Sequence, residues 1–165
     1  MKIGAYRGSH LPVLTAIIPA TTGPVVELGM GFCSSPYLHW ACYPSKRRLV
    51  SFENNPRYYD YARSWKADFH EVHCIPPDGW NNIDLSPSWA VAFVDHSPNG
   101  RRHEDIRCLV HADYVVIHDA ENSAERDYHL SALRPLFKYR YKYTPPGVPY
   151  TALWSNKYDV RDFQV

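Results

Sequence analysis

The chain has 165 residues, of which 45% are hydrophobic and 21% charged, a composition typical of one globular domain spanning residues 1–165. The formal net charge of +1 gives no global electrostatic case for a nucleic-acid partner or a membrane surface. No apolar run approaches the roughly 18 residues of a membrane span, and residues 1–7 lack the hydrophobic core of a signal peptide, so we expect a cytoplasmic protein.

Strand and helix signals alternate along the chain with short connections, which predicts a mostly parallel sheet covered by helices on both faces. After an N-terminal segment over residues 1–24, strands are expected over 25–28, 49–52, 69–75, 89–94 and 114–117. Helices are expected over 35–41, 55–65, 104–110 and 124–136.

The end of the core, which runs over residues 25–156, has a different pattern. Residues 138–143 alternate strictly between cations and tyrosines, and a proline-glycine turn leads into a second run over 150–154. The two runs predict an antiparallel C-terminal hairpin beside the parallel strands. The predicted fold class is therefore α/β, a three-layer α/β/α Rossmann-like sheet. We expect the tyrosines to pack on helices, and an RNA-binding face is the alternative.

The most informative stretch is the sequence VVELGMGFCSS over residues 25–35. A short apolar run leads into a glycine turn at Gly29 and Gly31, and the turn opens a predicted helix. A Cβ at either glycine would block the close approach of the backbone to a ligand, or the positive φ that such a turn needs. The second strand is followed by Glu53, an acid placed to accept hydrogen bonds from ribose hydroxyls. This combination predicts a nucleoside-binding site at the switch point of an α/β sheet.

These features, together with the closing hairpin, resemble the class I S-adenosylmethionine (SAM)-dependent methyltransferase family over residues 25–156. The cofactor-binding residues that the resemblance implies are Glu27, Gly29, Gly31, Glu53, Asn54, Asp78 and Trp80. The glycine loop would wrap the methionine part of SAM, and Glu53 would hold the ribose hydroxyls. Asn54 and Asp78 would lie near the adenine, with Trp80 as a stacking surface. A core or lid position is the alternative for Trp80.

A dinucleotide dehydrogenase is the rival interpretation, because an acid after the second strand serves either ligand. A dinucleotide-binding fingerprint requires GxGxxG, and here Ser34 stands at the third glycine position. The acid Glu27 before the first glycine and the terminal hairpin favour the methyltransferase interpretation.

Polar residues collect after the predicted fourth and fifth strands, at the edge where an open α/β sheet binds its ligands. They are Asp95, His96, His118, Asp119, Glu121 and Asn122. Asp95 and Asp119 resemble the two metal-binding aspartates of catechol-type, metal-dependent O-methyltransferases, and two carboxylates would suit a magnesium ion. The chain departs from that pattern at Ala120, in place of an asparagine, and at Pro98, in place of the catalytic lysine. The use of a metal is therefore left open.

Without a metal, His96 or His118 is expected to act as general base, because an unperturbed imidazole titrates near neutrality. Successive strand residues point to opposite sides, so His118 and Asp119 would not both face the pocket if the strand stays regular. Because Asp119 is the preferred site residue, His96 is favoured over His118 as the general base. The predicted catalytic residues are therefore Asp95, His96 and Asp119. The alternatives are a packed side chain at His118 and a helix cap at Asp119.

The sequence thus predicts a SAM-dependent methyltransferase, an O-methyltransferase acting on a small hydroxylated acceptor. One alternative is a catalytically inactive methyltransferase-fold binding or scaffold protein, and an NAD-type dehydrogenase is less favoured. Arg101 and Arg102 form either a clamp for an anionic or sugar-like acceptor or a solvated helix entrance. Acceptor selectivity would come from the N-terminal segment, from the loop over residues 81–88 or from a second subunit, which leaves a homo-oligomer open.

Overall fold

A computed structural model of the chain describes residues 8–76, 78–122 and 125–165, without the side chains of residues 125 and 126. Within these residues seven strands form one sheet. They are β1 (Val25–Leu28), β2 (Leu49–Glu53), β3 (His70–Cys74), β4 (Val91–Val94), β5 (Tyr114–His118), β6 (Tyr139–Tyr143) and β7 (Thr151–Ser155). The strand order is β3-β2-β1-β4-β5-β7-β6. The first five strands are parallel, and β7 pairs antiparallel with both β5 and β6. The predicted fold class, with its C-terminal hairpin, is confirmed.

The described helices are short. They are α1 (Leu11–Ile17), α2 (Ser34–Cys42), α3 (Pro56–Ala62), α4 (Arg102–Cys108), α5 (Glu125–Tyr128) and α6 (Leu130–Leu133). The sequence analysis assigned no element to the N-terminal segment, yet α1 begins there with a proline in its first turn, where the missing N–H costs nothing. The continuous helix expected over 124–136 is wrong within the described residues, because His129 takes a left-handed φ of 49° and separates α5 from α6. Its expected start at Ala124 lies outside the described residues.

Apolar layers cover both faces of the sheet, as a three-layer fold requires. Val25 belongs to the cluster that α1 and α2 cover, and its neighbour Val26 belongs to the cluster that α4 and α6 cover. Every residue of β1 and β4 is buried, because helices shield both faces. Tyr139, Tyr141 and Tyr143 pack against the first of these clusters. Among the described residues, no helix combines the length and apolar character of a membrane span.

The topology fixes where a ligand enters. β1 pairs with β2 on one side and with β4 on the other, so the strand order reverses between β1 and β4. In an open α/β sheet, the connections on the two sides of this switch point diverge and leave a crevice beyond the carboxyl ends of the strands. The glycine turn after β1 and the acidic residues after β2, β4 and β5 all lie at this edge.

Candidate functional site

A cavity of about 330 Å³ opens at the switch point. Its wall is formed by the glycine loop, the end of β2, the start of α3, the residues after β4 and β5, and one residue that precedes α1. The volume lies at the lower end of the range for small-molecule sites. Residues from the N-terminal segment and from four strand ends thus share one concave site.

The two glycines of the loop have different physical roles. Gly29 has a φ of +91°, and a Cβ there would lie 2.5 Å from both the carbonyl carbon of Asp95 and the nitrogen of His96. Gly29 therefore lies close to the backbone after β4 and not to a ligand. The positive φ, the other reason that the sequence analysis gave for a glycine here, is present. Gly31 lines the cavity, and a Cβ there would meet only the Ser34 Oγ, at 3.3 Å. Gly31 leaves room for a ligand, whereas Gly29 lets two loops pack.

Glu53 is held rigidly at the cavity wall. Its Oε2 accepts a hydrogen bond from the Met30 N–H at 2.8 Å, and its Oε1 accepts from the N–H groups of Asn54 and Asn55 at 2.9 and 2.6 Å. Burial raises the pKa of this carboxyl, and the three N–H donors oppose that rise. The backbone therefore fixes one orientation of the carboxylate before any ligand arrives.

Glu27 points to the α2 side of the sheet and is fully buried beneath the glycine loop. Its carboxyl oxygens accept hydrogen bonds from the Ser35 hydroxyl at 3.0 and 3.1 Å and from the Ser51 hydroxyl at 2.6 Å. The Ser35 Oγ in turn accepts from the Gly31 N–H at 3.1 Å. Burial raises the pKa of Glu27 to about 7, against the opposing effect of the serine hydroxyls. Glu27 thus supports the loop from below.

Three of the predicted adenine-side residues lie outside the cavity lining: Asn54, Asp78 and Trp80. Asn55, one position after Asn54, lines the cavity and caps α3 by accepting a hydrogen bond from the Arg57 N–H. The Trp80 ring is buried in the core, and its Nε1–H donates to the Ser97 carbonyl at 3.0 Å. Cofactor contacts from these three residues stay predictions that rest on the resemblance.

Two aromatic residues of the wall were not identified from the sequence. The rings of Phe32 and Tyr58 lie 5.3 Å apart next to Asn55 and line the cavity. Their only sequence signal is position, since Phe32 follows the glycine turn and Tyr58 lies in the first turn of α3.

Asp95 and His118 form an ion pair on the α1 side of the sheet edge. The His118 Nδ1 lies 3.2 Å from the Asp95 Oδ1, and its Nε2 lies 2.9 Å from the Ser9 hydroxyl. Burial disfavours the imidazolium, but the Asp95 carboxylate outweighs burial and raises the pKa of His118. Burial likewise opposes the Asp95 carboxylate, and His118 and Arg102 outweigh it and lower its pKa. The pair is therefore stabilised in its charged form.

Asp119 faces the same cavity as His118, against the expectation from strand alternation. β5 ends at His118, and Asp119 takes a left-handed φ of 55° that turns its side chain back toward the cavity. The Asp119 Oδ1 lies 3.4 Å from the His118 Nδ1. A non-glycine residue in this region costs about 1–3 kcal/mol, and such strain concentrates at functional sites. Burial raises the pKa of Asp119, and the nearby His118 opposes that rise.

His96 points the other way. Strand alternation places it on the α4 side of the sheet, opposite to Asp95, with its ring 4.0 Å from the Trp80 ring and its Nε2 2.8 Å from the Asp105 Oδ2. Its imidazole has no exposed surface. The structure therefore brings Asp95, His118 and Asp119 together, and His96 borders the same cavity while its buried imidazole turns away from that group.

His10 is a further residue of the wall that the sequence analysis did not identify. It precedes α1 and is 98% buried, and its ring lies 4.7 Å from that of His118. Neither of its ring nitrogens has a hydrogen-bond partner among the described residues. Burial lowers the pKa of His10 to about 4, so the ring is neutral at physiological pH. One donor atom each from His10, Asp95 and His118 lie within 4.8 Å of one another.

The magnesium site suggested by the resemblance does not fit these residues. The guanidinium of Arg102 contacts Asp95 at 3.1 Å and Asp119 at 3.5 Å, so a protein cation already joins the two carboxylates. Ala120 supplies no side-chain oxygen where an asparagine would stand. Magnesium prefers an octahedral set of oxygen ligands, whereas the donors that lie together with Asp95 are the imidazole nitrogens of His10 and His118.

Comparisons with known proteins show what the chain is similar to. No protein-family model matches it, and no curated protein sequence matches it. Among solved structures, cofactor-bound Rv0187 from MTB is 18% identical with a TM-score of 0.69, over 96% of this chain and 83% of that one. The O-methyltransferase TomG from Streptomyces achromogenes, in complex with SAM, is 17% identical with a TM-score of 0.65, over 93% and 81%. The N-terminal domain of human METTL16, in complex with S-adenosylhomocysteine (SAH), is 11% identical with a TM-score of 0.62, over 96% and 73%. The chain therefore has the fold of class I SAM-dependent methyltransferases.

Proposed function

We propose that this protein transfers a methyl group from SAM to an oxygen of a small hydroxylated acceptor. The observation that carries the proposal is one cavity with two unlike walls. Glu53 and the open glycine Gly31 form the first wall, and the cluster of Asp95, His118 and Asp119 forms the second. A nucleoside ligand suits the first wall, and removal of an acceptor proton suits the second.

On the first wall, each residue has an assigned task. The Glu53 carboxylate, already oriented by three backbone N–H groups, accepts the ribose hydroxyls through its remaining lone pairs. Gly31 leaves space for the amino-acid part, and Glu27 holds the loop through Ser35. Bound SAM supplies the electrophilic methyl group. Because the reaction needs an in-line approach, fixing these groups in advance supplies much of the rate.

On the second wall, the acceptor proton passes to Asp119. Both nitrogens of His118 are engaged, by Ser9 and by Asp95, while the Asp119 side chain is 36% exposed within the cavity. The adjacent His118 stabilises the acceptor oxygen as its proton leaves, and Asp95 fixes the orientation of that imidazole. The buried His96 has no surface for this step. Orientation and one proton acceptor are sufficient for an activated methyl donor.

The solved structures that share the fold, with SAM or SAH bound, support methyl transfer. TomG is an O-methyltransferase, and a domain of human METTL16 has the same fold. A small acceptor is favoured here because the cavity is small and the formal net charge is +1. The inactive scaffold alternative predicts SAH binding without product.

Calorimetric titration with SAH tests the cofactor site. Wild-type protein should bind, and Glu53→Gln should weaken binding about 10- to 100-fold, because hydrogen bonds to a charged group contribute about 1.5–3 kcal/mol. Glu71→Gln is the matched control, since Glu71 pairs with Arg48 at the exposed edge of the sheet. Equal affinities in folded Glu53→Gln and wild type would contradict the assignment.

A transfer assay with radiolabelled SAM tests the chemistry. Small phenols, sugars and RNA oligonucleotides serve as acceptors, and only the small molecules should be methylated. Asp119→Asn should lower kcat about 100-fold, in the range of a lost general base, and leave the Kd of SAH unchanged. Asp60→Asn is the control, because Asp60 is exposed and lies on α3. Methylation of RNA alone would replace the acceptor class, and no product with tight SAH binding would favour the scaffold.

A further inference from the structure

Arg102, the first residue of α4, is a buried cation that the backbone holds in place. Its Nε–H donates to the His96 carbonyl at 2.7 Å, and its Nη1 donates to the His118 carbonyl at 3.2 Å. These carbonyls follow β4 and terminate β5. The guanidinium also lies 4.7 Å from the centre of the Tyr128 ring, a cation–π distance. Three segments therefore fix its position, unlike a solvated residue at a helix entrance.

The same guanidinium joins the two carboxylates of the second wall. Its Nη2 lies 3.1 Å from the Asp95 Oδ1, and its Nη1 lies 3.5 Å from the Asp119 Oδ2. The side chain of Arg102 is only 4% exposed, so it contacts these acids from behind the cavity. A planar fork with several donors suits this bridging geometry.

We propose that Arg102 takes the place of a divalent cation, a fixed positive charge that holds Asp95 and Asp119 so that the site works without a metal. The effect of Arg102 on methyl transfer rests on the proposed function. Its position between the two carboxylates, where an ion would bind, does not depend on that function. Arg102 is a positioning residue, because it acts through the two acids and not on the acceptor. It also secures the left-handed conformation of Asp119, which Tyr128 supports with a hydroxyl 3.4 Å from the Asp119 Oδ2.

Charge and ligand geometry support the replacement. The two carboxylates already have two basic partners, Arg102 at 3.1 and 3.5 Å and His118 at 3.2 and 3.4 Å. A divalent ion beside them would be repelled by the guanidinium and would have to displace the imidazole proton. The set of His10, Asp95 and His118 is the competing metal site. Both nitrogens of His118 are already engaged by Ser9 and Asp95, which opposes that set.

Metal titration of wild-type protein is the first test. Free Mn²⁺ is followed by electron paramagnetic resonance, with Mg²⁺ and Zn²⁺ followed by calorimetry, each with and without SAH. The proposal expects no stoichiometric ion at this cluster and full turnover in EDTA. One bound ion that is lost in Asp95→Asn would overturn it. Loss of that ion in His10→Phe as well would assign it to the competing set.

Replacing the cation is the second test. Arg102→Ala should create a binding site for one Mn²⁺, because the two carboxylates then face the vacated space with His118 as their remaining partner. Adding Asp119→Asn to that variant should abolish the new site. Arg101→Ala is the matched control, since Arg101 pairs with Glu104 and Asp105 instead, and it should bind no ion. A folded Arg102→Ala that binds no Mn²⁺ would contradict the proposal.

Two measurements keep the outcomes separable. Arg102→Lys retains a charge without the fork, so kcat should fall at least tenfold while the Kd of SAH is unchanged, a split that a merely structural role would not produce. If Arg102→Ala does not fold, the wild-type metal titration still decides. If no acceptor is ever methylated, the SAH titration judges the proposed function, and Mn²⁺ binding judges Arg102 independently.

Discussion

The two walls of the cavity stabilise their acids in opposite ways. On the first wall, which is the cofactor wall of the proposed function, Glu53 accepts hydrogen bonds from backbone N–H groups, and Glu27 beneath the glycine loop accepts from hydroxyl groups. Burial raises the pKa of each. On the second wall, which is the acceptor wall of the proposed function, Asp95 and Asp119 lie among charged side chains, and Asp119 has a strained φ.

Under the proposed function, this difference separates cofactor binding from proton removal. The acids of the cofactor wall are held by uncharged donors of nearby segments, which fix their orientation before a ligand arrives. The acceptor wall keeps its charges by mutual pairing and carries features that cost stability, including two His10 ring nitrogens that have no hydrogen-bond partner in the described part of the chain. Proteins tolerate such costs where activity requires them.

The largest expected effect tests whether the cofactor wall is rigid because of Gly29. Gly29→Ala should destabilise the protein by more than about 3 kcal/mol, because its Cβ would overlap the backbone after β4 and the residue needs a positive φ. Gly31→Ala is the matched variant and should fold with a loss within about 1 kcal/mol. Urea unfolding measures both.

The same pair of variants also separates packing from ligand space. Gly31→Ala should weaken SAH binding about tenfold, a loss of about 1.4 kcal/mol, because its Cβ enters the cavity. A stable Gly29→Ala, or a Gly31→Ala that unfolds, would reverse the roles that the structure gives to the two glycines.

Of the cofactor residues predicted from the sequence, Gly31 and Glu53 line the cavity, and both could be placed there because the pattern that carries them is local. The apolar run, the glycine turn and the acid after the next strand all belong to two consecutive strand units, and short-range pattern specifies them. The sequence analysis placed Asn54 at the cavity, whereas the structure places Asn55, one position later, in the lining. The Asn54 N–H donates instead to the Glu53 carboxylate.

The acceptor wall could not be predicted to the same extent because it is assembled from distant segments. His10 lines the cavity just before α1, a helix of seven residues whose short pattern gave no signal, and Arg102 reaches the two acids from α4, behind the cavity. The sequence analysis assumed that His118 and Asp119 point to opposite sides of a regular strand, and the left-handed φ of Asp119 breaks that alternation. The same rule holds at the end of β4 and turns His96 away from Asp95.

A smaller effect tests whether burial keeps the Glu27 carboxyl protonated beneath the cofactor wall. The folded pKa of Glu27, about 7, lies above its ordinary value of 4.5, so the folded state favours the protonated form. The stability from this group is therefore present below pH 4.5 and is lost as the pH rises through 7, by up to about 3 kcal/mol. Glu27→Gln should remove this loss and be more stable than wild type at pH 8.

The measurement for Glu27 is the free energy of unfolding in urea between pH 5 and pH 8. Glu71→Gln serves as control, because Glu71 lies at the exposed edge and its pKa is lowered by the hydrogen bond from Arg48. Parallel pH curves for wild type and Glu27→Gln would show that Glu27 is ionised in the fold, and the contrast between the two walls would then fail.

The smallest expected effect concerns the cost of the acceptor wall. Replacing His10 by Leu removes two buried nitrogens that lack partners among the described residues, and it keeps an apolar contact with Phe93, whose ring lies 4.8 Å away. At pH 7.5, where the imidazole is neutral, the variant should gain about 1 kcal/mol, a rise in Tm of about 2–4 °C. Turnover should fall while the Kd of SAH stays the same, because His10 lines the cavity with its ring 4.7 Å from that of His118 and away from Glu53 on the other wall.

His111→Leu is the control: His111 is exposed and contacts the Pro87 carbonyl, so its Tm should change little. A lower Tm for His10→Leu would mean that an ordered water or ion satisfies His10 in solution, and the acceptor wall would then be no less settled than the cofactor wall.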